Sequence, residues 1–504
     1  MDYLVPALKL VLQPDTLLAV LLASFFGFIV GALPGLTATM AVALLVPITF
    51  LLSPLAAIAS IVAASAMAMF AGDIPGALLR IPGTPASAAY VEESYKLTLA
   101  GRGGYVLGVN AACSMIGGVI GTVVLILAAP MLANVALNFS AFEFFWLSFL
   151  GLSCGAFVAG DRPIKGTLAM LIGLLIATVG MDYSSGHARF TFGNTNLLEG
   201  ISFIPALIGM FAMPEILRSM LKGASALSAS GAPVTDDWKG AFRSIFQYRR
   251  VVLRSSALGT GIGILPGAGA DIAAWIAFAV AKRLSKTPKQ WGTGHVEGVI
   301  AGSSANNAAL GGAWIPALVF AIPGDTITAI AIGVLYLKGM NPGPAVFINN
   351  ADLLYAVFLV FLLANLLLLP FGWIAIRLAK VVLGIPRDLL MPALLILAVV
   401  GAFAIDNDFS GVWIMLALGI AAYVLEECGY PIAPIVLGIV LGKIVEQNLI
   451  QALTSTQGSL IGFFERPVSA VLGVITILVW VYAGSRWARG LLARGRIAAS
   501  GSSR

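Results

Sequence analysis

The chain has 504 residues, 59% of them hydrophobic and 10% charged, and its mean hydropathy of +0.98 excludes a soluble globular domain in favour of a membrane protein. Since a helix needs about 20 apolar residues to cross about 30 Å of hydrocarbon, the length allows roughly ten to fourteen spanning or dipping segments and excludes a receptor with a large soluble head. The formal charge of +6 comes from basic residues clustered beside apolar runs, which fits positive-inside topology and not nucleic-acid binding.

Apolar runs over 16–33, 36–52 and 55–71 open the chain, followed by 104–129, 139–159, 164–181 and 199–217. The first of them continues into Gly31–Gly35 without a small-residue cleavage site, so no removable signal peptide is expected. Cys113, Cys154 and Cys428 lack CxxC spacing, and His187 and His295 are far apart, so neither a disulfide framework nor a metal cluster is expected. Residues 218–254 carry Arg218, Lys222, Lys239, Arg243, Arg249, Arg250 and Arg254 against Asp236 and Asp237. They read as a cytoplasmic linker between a first half, 1–217, and a second half with further C-terminal helices, 255–484. That second stretch holds apolar runs at 255–281, 296–321, 326–337, 351–383, 389–404, 411–425, 432–445 and 467–484. The tail, 485–504, has five arginines and no acid, which places it in the cytoplasm as well.

A repeat links the halves. Gly27-Phe-Ile-Val-Gly31-Ala-Leu-Pro34-Gly35 aligns with Gly259-Thr-Gly-Ile-Gly263-Ile-Leu-Pro266-Gly267, and Ile74-Pro75, separated from Pro82-Gly83 by six residues, aligns with Ile315-Pro316, separated from Pro323-Gly324 by the same six. Arg249, Arg250 and Arg254 precede the second Leu-Pro-Gly and Lys282, Arg283, Lys286 and Lys289 follow it, whereas its counterpart has Asp15 before it and no Lys or Arg after it until Arg80. Lys96 and Arg102 follow the first Ile-Pro-Gly and only Lys338 follows the second, so both comparisons favour inverted topology. The expected fold is therefore all-α and polytopic, with two inverted repeats containing Pro-Gly-broken helices or re-entrant hairpins.

In lipid every backbone N–H and C=O needs a partner, so a helix broken at Pro-Gly survives only where protein or a hydrated cavity covers the break. A lone Pro-Gly merely kinks or packs helices, but four related by a repeat point to a site. The half-helix starts offer open backbone at Gly83, Gly267 and Gly324 and hydroxyls at Thr37, Thr39, Thr84, Ser87, Thr326 and Thr328, suited either to an organic anion or to N-capping and packing. Asp73, Arg80, Asp271 and Asp325 stand beside the breaks, where a charge usually faces a cavity or a partner. Arg80 is suited to clamping a substrate carboxylate, or to pairing with Asp73 or Asp325. Asn306 and Asn307, after Ser303-Ser304 in an apolar run, supply amides too costly to leave unpaired. Asp73, Asp271, Asp325 and Ser303 are the candidates for holding a coupling ion, Na⁺ or H⁺; no other cofactor is expected.

With Gly31-Ala-Leu-Pro-Gly-Leu-Thr37, Val46-Pro-Ile-Thr-Phe50, Ile81-Pro-Gly-Thr-Pro-Ala-Ser-Ala-Ala89, Leu265-Pro-Gly-Ala-Gly-Ala-Asp271, Glu297-Gly-Val, Ala305-Asn-Asn-Ala308, Ile322-Pro-Gly324 and Asn341-Pro-Gly-Pro344, the chain resembles the large membrane subunit of the tripartite tricarboxylate transporters (TctA family). The resemblance implies an inner-membrane secondary transporter driven by an ion gradient, a small membrane subunit beside it, and a periplasmic substrate-binding protein that delivers a small organic anion. Four positions depart from the family's pattern: Arg80 in place of an uncharged residue, Asp325 in place of Ser, and Gly302-Ser303 in place of Pro-Glu. A stand-alone organic-anion carrier or channel would use the same architecture. An integral-membrane enzyme is more distant, because no catalytic spacing or nucleophile elbow is evident, and no Gly-x-x-x-x-Gly-Lys-Ser/Thr loop is there to bind ATP.

Overall fold

The computed structural model describes residues 3–158, 163–222, 237–267, 269–383, 387–481 and 485. The centre of the expected linker, 223–236, and all but the first residue of the expected tail lie outside the described residues. The protein is an all-α polytopic membrane protein: among the described residues seven helices are long and apolar enough to cross a bilayer, and six shorter apolar helices accompany them.

The described residues form two compact units. The larger is drawn from Met1–Leu137 and Ile201–Ile432. It opens with α1 (Leu4–Val11), α2 (Pro14–Ala32), α3 (Ala38–Thr49), α4 (Pro54–Ala71), α5 (Asp73–Leu79), α6 (Val91–Leu97) and α7 (Gly103–Ala136). Prolines start α2 and α4, where a missing N–H costs nothing and the fixed φ suits the first turn. The smaller unit, drawn from Asn138–Gly200 and Ala433–Arg504, contains α8 (Ala141–Val158) and α9 (Pro163–Ala177), then a two-residue antiparallel pairing of Gly180–Met181 with Ala188–Arg189. The chain returns to the larger unit with α10 (Phe203–Lys222), α11 (Trp238–Gln247), α12 (Arg249–Gly263), α13 (Gly269–Leu284), α14 (Val296–Phe320), α15 (Thr326–Leu337), α16 (Val346–Asn349), α17 (Ala351–Leu383), α18 (Arg387–Asp406) and α19 (Phe409–Glu427), before α20 (Ile432–Ser455) leads into the smaller one. The last part of the interval read as a linker thus folds as α11 and the beginning of α12.

In the larger unit α4 and α14 are buried along almost their whole length. Lipid tails are as apolar as leucine, so such helices associate by close packing rather than by escape from water, and small residues are what let backbones touch. Here the paired glycines of the repeat act alike. A Cβ on Gly27 or Gly31 of α2 would lie 2.5 Å from the carbonyl oxygen of Ala64 or Ala68 of α4, and one on Gly259 or Gly263 of α12 would lie 2.3 Å from that of Ala305 or Ala309 of α14. The motif that aligns in sequence therefore docks each repeat's first helix on its third by the same pair of contacts. Gly261, between the α12 pair, has no atom near its missing Cβ. Gly259→Val is accordingly expected to lower the unfolding midpoint, at a cost of about 1–3 kcal/mol for overpacking, while Gly261→Ala holds or raises it; equal loss in both would show that the α12–α14 contact is looser than described.

The smaller unit holds its own core around Trp146, Ala452 and Phe463. The Trp146 indole donates to the Phe463 carbonyl at 3.2 Å, and buried Glu143 accepts from the Ser140 amide and hydroxyl and pairs with Arg466 at 3.2 Å. Arg189 joins the short β-pairing to Glu446 of α20 at 2.6 Å and to Asp182 at 3.1 Å.

Candidate functional site

The first break of each repeat is a tight turn. Gly35 and Gly267 take φ of 89° and 76°, a left-handed conformation that glycine adopts without steric cost after proline. The second breaks of the two repeats match each other more closely still. Arg80 and Ala321 both cap the preceding helix in the left-handed region, and the amides of Ile81 and Ile322 both bond back to the carbonyl of the proline six residues earlier, Pro75 and Pro316, at 3.3 and 3.2 Å. After the turn the next three residues close the same capping box. Thr84 and Ser87 exchange backbone-to-hydroxyl bonds of 3.1 Å each way, and in the same pattern the Asp325 amide donates to the Thr328 hydroxyl at 2.9 Å and the Thr328 amide to the Asp325 carboxylate at 2.8 Å. Thr84 and Asp325 are thus equivalent positions.

All four breaks meet. A cavity of about 50 Å³ is lined by Thr37 and Thr39 from the first, Thr84 from the second, Asp271 from the third, and Asp325 and Thr326 from the fourth, with Asn306 of α14 completing the wall. Direct bonds cross between repeats: the hydroxyls of Thr39 and Thr326 are 2.8 Å apart, Asp271 Oδ1 accepts from the Ala86 amide at 3.1 Å, and the Trp275 indole donates to the Pro85 carbonyl at 3.1 Å. Thr37 also N-caps α3, accepting from the Met40 amide at 3.2 Å. Asn306 is 1% exposed, and its amide nitrogen has no hydrogen-bond acceptor among the described residues.

Other expected site residues stand off the cavity. Arg80 does not line it; its guanidinium Nε donates to Glu92 at 2.7 Å, so the structural partner is neither Asp73 nor Asp325. The amides of Gly83 and Gly267 are already donated, to the carbonyls of Gly72 and Gly324 at 3.1 and 2.8 Å, which turns these glycines from open backbone into braces behind the cavity wall. Ser87 is occupied in its capping box. Asn307 donates to the Ala66 carbonyl at 3.1 Å. Asp73 and Ser303 belong to a separate buried cluster: Tyr90 donates to Asp73 at 2.6 Å, and the Ser303 hydroxyl lies 2.9 Å from Asn110 Oδ1 and 3.4 Å from Asp73.

Sequence reasoning did not single out Tyr90, Asn110 or the cavity-lining Met69, Pro85 and Ile327. A lone asparagine at 110 in an apolar run is a readable signal, of the same kind that marks Asn306; the apolar lining carries none. Two latches were equally hidden. Glu93 of α6, 1% exposed, accepts from the amides of Gly292, Gly294 and His295, the last two at 2.8 and 2.6 Å. Lys338, just past α15, donates to the carbonyls of Phe50 and Leu52 at 2.9 and 2.7 Å. In both cases the loop between one repeat's two long segments is held by the helix that follows the other repeat's second break.

Comparison with known proteins bears on what such a cavity serves. The family model described as "Tripartite tricarboxylate transporter TctA family" matches residues 17–437. An Agrobacterium vitis protein described as "Uncharacterized 52.8 kDa protein in TAR-I ttuC' 3'region" is 34% identical over 475 residues, 94% of each chain. A second from that organism, "Uncharacterized protein in TAR-II ttuC' 3'region", is 35% identical over 224 residues, 44% of this chain and 93% of its own. No solved structure matches the chain.

Proposed function

The chain belongs to the tripartite tricarboxylate transporter TctA family, and from that premise we propose that it is the large membrane subunit of a binding-protein-dependent secondary transporter for a small organic anion. The family is a transporter family, and the reading here is of a carrier without enzymatic chemistry. The single observation that carries it is the meeting of four helix breaks from two repeats around one cavity whose walls offer hydroxyls, an unpaired amide and carboxylates. Non-helical backbone at membrane depth is tolerated where it lines a cavity, and such breaks are where transporters bind solute and coupling ion. In this reading the repeats are inverted, and the chain sits in the bacterial inner membrane with the basic linker and tail in the cytoplasm. A periplasmic binding protein delivers the anion, a small membrane subunit stands beside the chain, and Na⁺ or H⁺ moving down its gradient drives alternating access.

Uptake of labelled carboxylates into membrane vesicles carrying the whole system tests this. It is expected to need the binding protein and to collapse when the Na⁺ and H⁺ gradients are dissipated; uptake that survives dissipation and depends on ATP would overturn the reading. Because Arg80 pairs with Glu92 away from the cavity, Arg80→Asn is expected to leave solute affinity within about twofold, as suits loss of an exposed ion pair.

A further inference from the structure

We propose that an anionic phospholipid docks on the outer face of α11 and α12, its headgroup phosphate held by Arg250 and Arg254 and its acyl chains lying along the apolar stripe that follows them. This site goes beyond the transport reading and does not depend on it.

The charge on this face is unbalanced. Residues 238–263 carry Lys239, Arg243, Arg249, Arg250 and Arg254 and no acid. Asp237, just before them, is committed as the N-cap of α11, accepting from the Gly240 amide at 2.9 Å. None of the five basic side chains has a hydrogen bond or ion pair among the described residues. At Arg254 the Nε is also shut off from solvent, without an acceptor among the described residues. A shielded guanidinium donor left unpaired is costly, and an anion is what satisfies it.

α11 is held in place to present its share of that charge. A Cβ on Gly108 of α7 would lie 3.3 Å from the Ala241 Cβ and 3.6 Å from the Trp238 ring, and the Ser244 hydroxyl is 2.6 Å from that of Tyr105. That side of the helix belongs to the protein. Away from it run two adjacent rows, Phe242 with Phe246 and Lys239 with Arg243, each pair four residues apart. All four side chains are exposed, Phe246 by 72%. Aromatic rings beside cations suit a helix at headgroup level, with rings toward the acyl chains and charges toward phosphate.

α12 repeats the order along its axis. Its inner face docks on α14 through Gly259 and Gly263. Its outer face starts with Arg250, Leu253 and Arg254 and continues with Ala257, Leu258 and Gly261, where no atom stands near the missing Cβ. Arg250 and Arg254 are one turn apart, so both forks can reach one phosphate. From Arg254 to Gly261 the stripe runs about 10 Å at 1.5 Å per residue, most of the roughly 15 Å of hydrocarbon in one leaflet. Charge first and hydrocarbon below it is the order within a single phospholipid molecule. A membrane-spanning protein could cover the stripe, but it would need an acid of its own at the depth of Arg254, whereas the bilayer supplies a phosphate there throughout.

The test uses the full chain, reconstituted in mixed phosphatidylglycerol and phosphatidylcholine nanodiscs, with native mass spectrometry identifying the lipids it retains. The chain is expected to retain phosphatidylglycerol in preference, and its unfolding midpoint to rise as phosphatidylglycerol replaces phosphatidylcholine. Arg250→Gln/Arg254→Gln is expected to cut the preference roughly 25-fold, about fivefold for each charge removed. Arg250→Lys/Arg254→Lys, which keeps the charge, retains most of it. Lys286→Gln/Lys289→Gln removes the same charge from neither α11 nor α12 and should leave the preference within about twofold, since screening limits its reach. Equal retention of the two lipids, or a midpoint indifferent to lipid charge, would overturn the proposal. So would an equal loss in the Lys286→Gln/Lys289→Gln chain, which would reduce the effect to net charge. Displacement of the lipid by glycerol 3-phosphate would replace it with a site for free phosphate, and a preference that vanishes when the small membrane subunit is added would assign the face to that protein.

Discussion

Glu93→Ala is expected to unlatch the loop that precedes α14 and to cost roughly 2–4 kcal/mol, because hydrogen bonds to a charged group contribute about 1.5–3 kcal/mol each and water recovers part of the loss at a loop that is partly exposed. The buried carboxylate gathers the amides of Gly292, Gly294 and His295, and Lys96 from the next turn of α6 bonds the Gly292 carbonyl, so one short helix closes on the loop from two sides. Removing Glu93 leaves those amides to find solvent and frees the start of α14, the helix that carries Ser303, Asn306 and Asn307. A lowered unfolding midpoint together with impaired uptake is the expected outcome. Glu93→Gln, which keeps one acceptor oxygen, should fall between. Wild-type behaviour of Glu93→Ala in both measurements would show that the loop holds itself.

Gly117→Val is expected to do more harm to the fold than any substitution of a cavity hydroxyl. A Cβ on Gly117 of α7 would come 2.1 Å from the Ser304 carbonyl oxygen of α14, and one on Gly121, a turn later, 2.4 Å from that of Ala308. Both obstacles are backbone, which cannot rotate aside, so the helices must separate along the stretch of α14 that bears the site. Overpacking of this kind costs about 1–3 kcal/mol and occasionally more. Displacing Asn306 by even part of an ångström would reach the cavity as well. The midpoint of unfolding and the yield of folded chain read the first effect, and solute affinity reads the second. A folded Gly117→Val chain with normal affinity would contradict the packing described here.

What could be read from the sequence was whatever is encoded locally or periodically. The Pro-Gly breaks announce themselves because proline removes a donor and glycine permits a left-handed turn, and their recurrence in matched order points to a common site. The paired glycines at 27 and 31, and at 259 and 263, were legible as an aligned motif, though their partners on α4 and α14 were not. Partner choice is where sequence falls short. Arg80 bonds Glu92 because the left-handed cap at the end of α5 turns its side chain toward α6, a consequence of tertiary path rather than of composition. Asp73 likewise meets Tyr90 and Ser303 instead of the cavity, and the backbones of Gly83 and Gly267 bond to protein instead of standing open. The basic stretch read as a linker hides α11, whose buried Ala241 and Ile245 are too few to stand out among the surrounding charges.

The account depends on the solute passing between half-helices contributed by both repeats, and a reversible cross-link across that gap tests it most directly. Thr39 and Thr326 approach to 2.8 Å between hydroxyl oxygens, close enough that cysteines there should oxidise to a disulfide after modest adjustment of their side chains. In a background with Cys113, Cys154 and Cys428 replaced, oxidation of Thr39→Cys/Thr326→Cys is expected to stop vesicle uptake, and reduction to restore it. Undiminished uptake by a fully cross-linked chain would mean that the solute travels by another route.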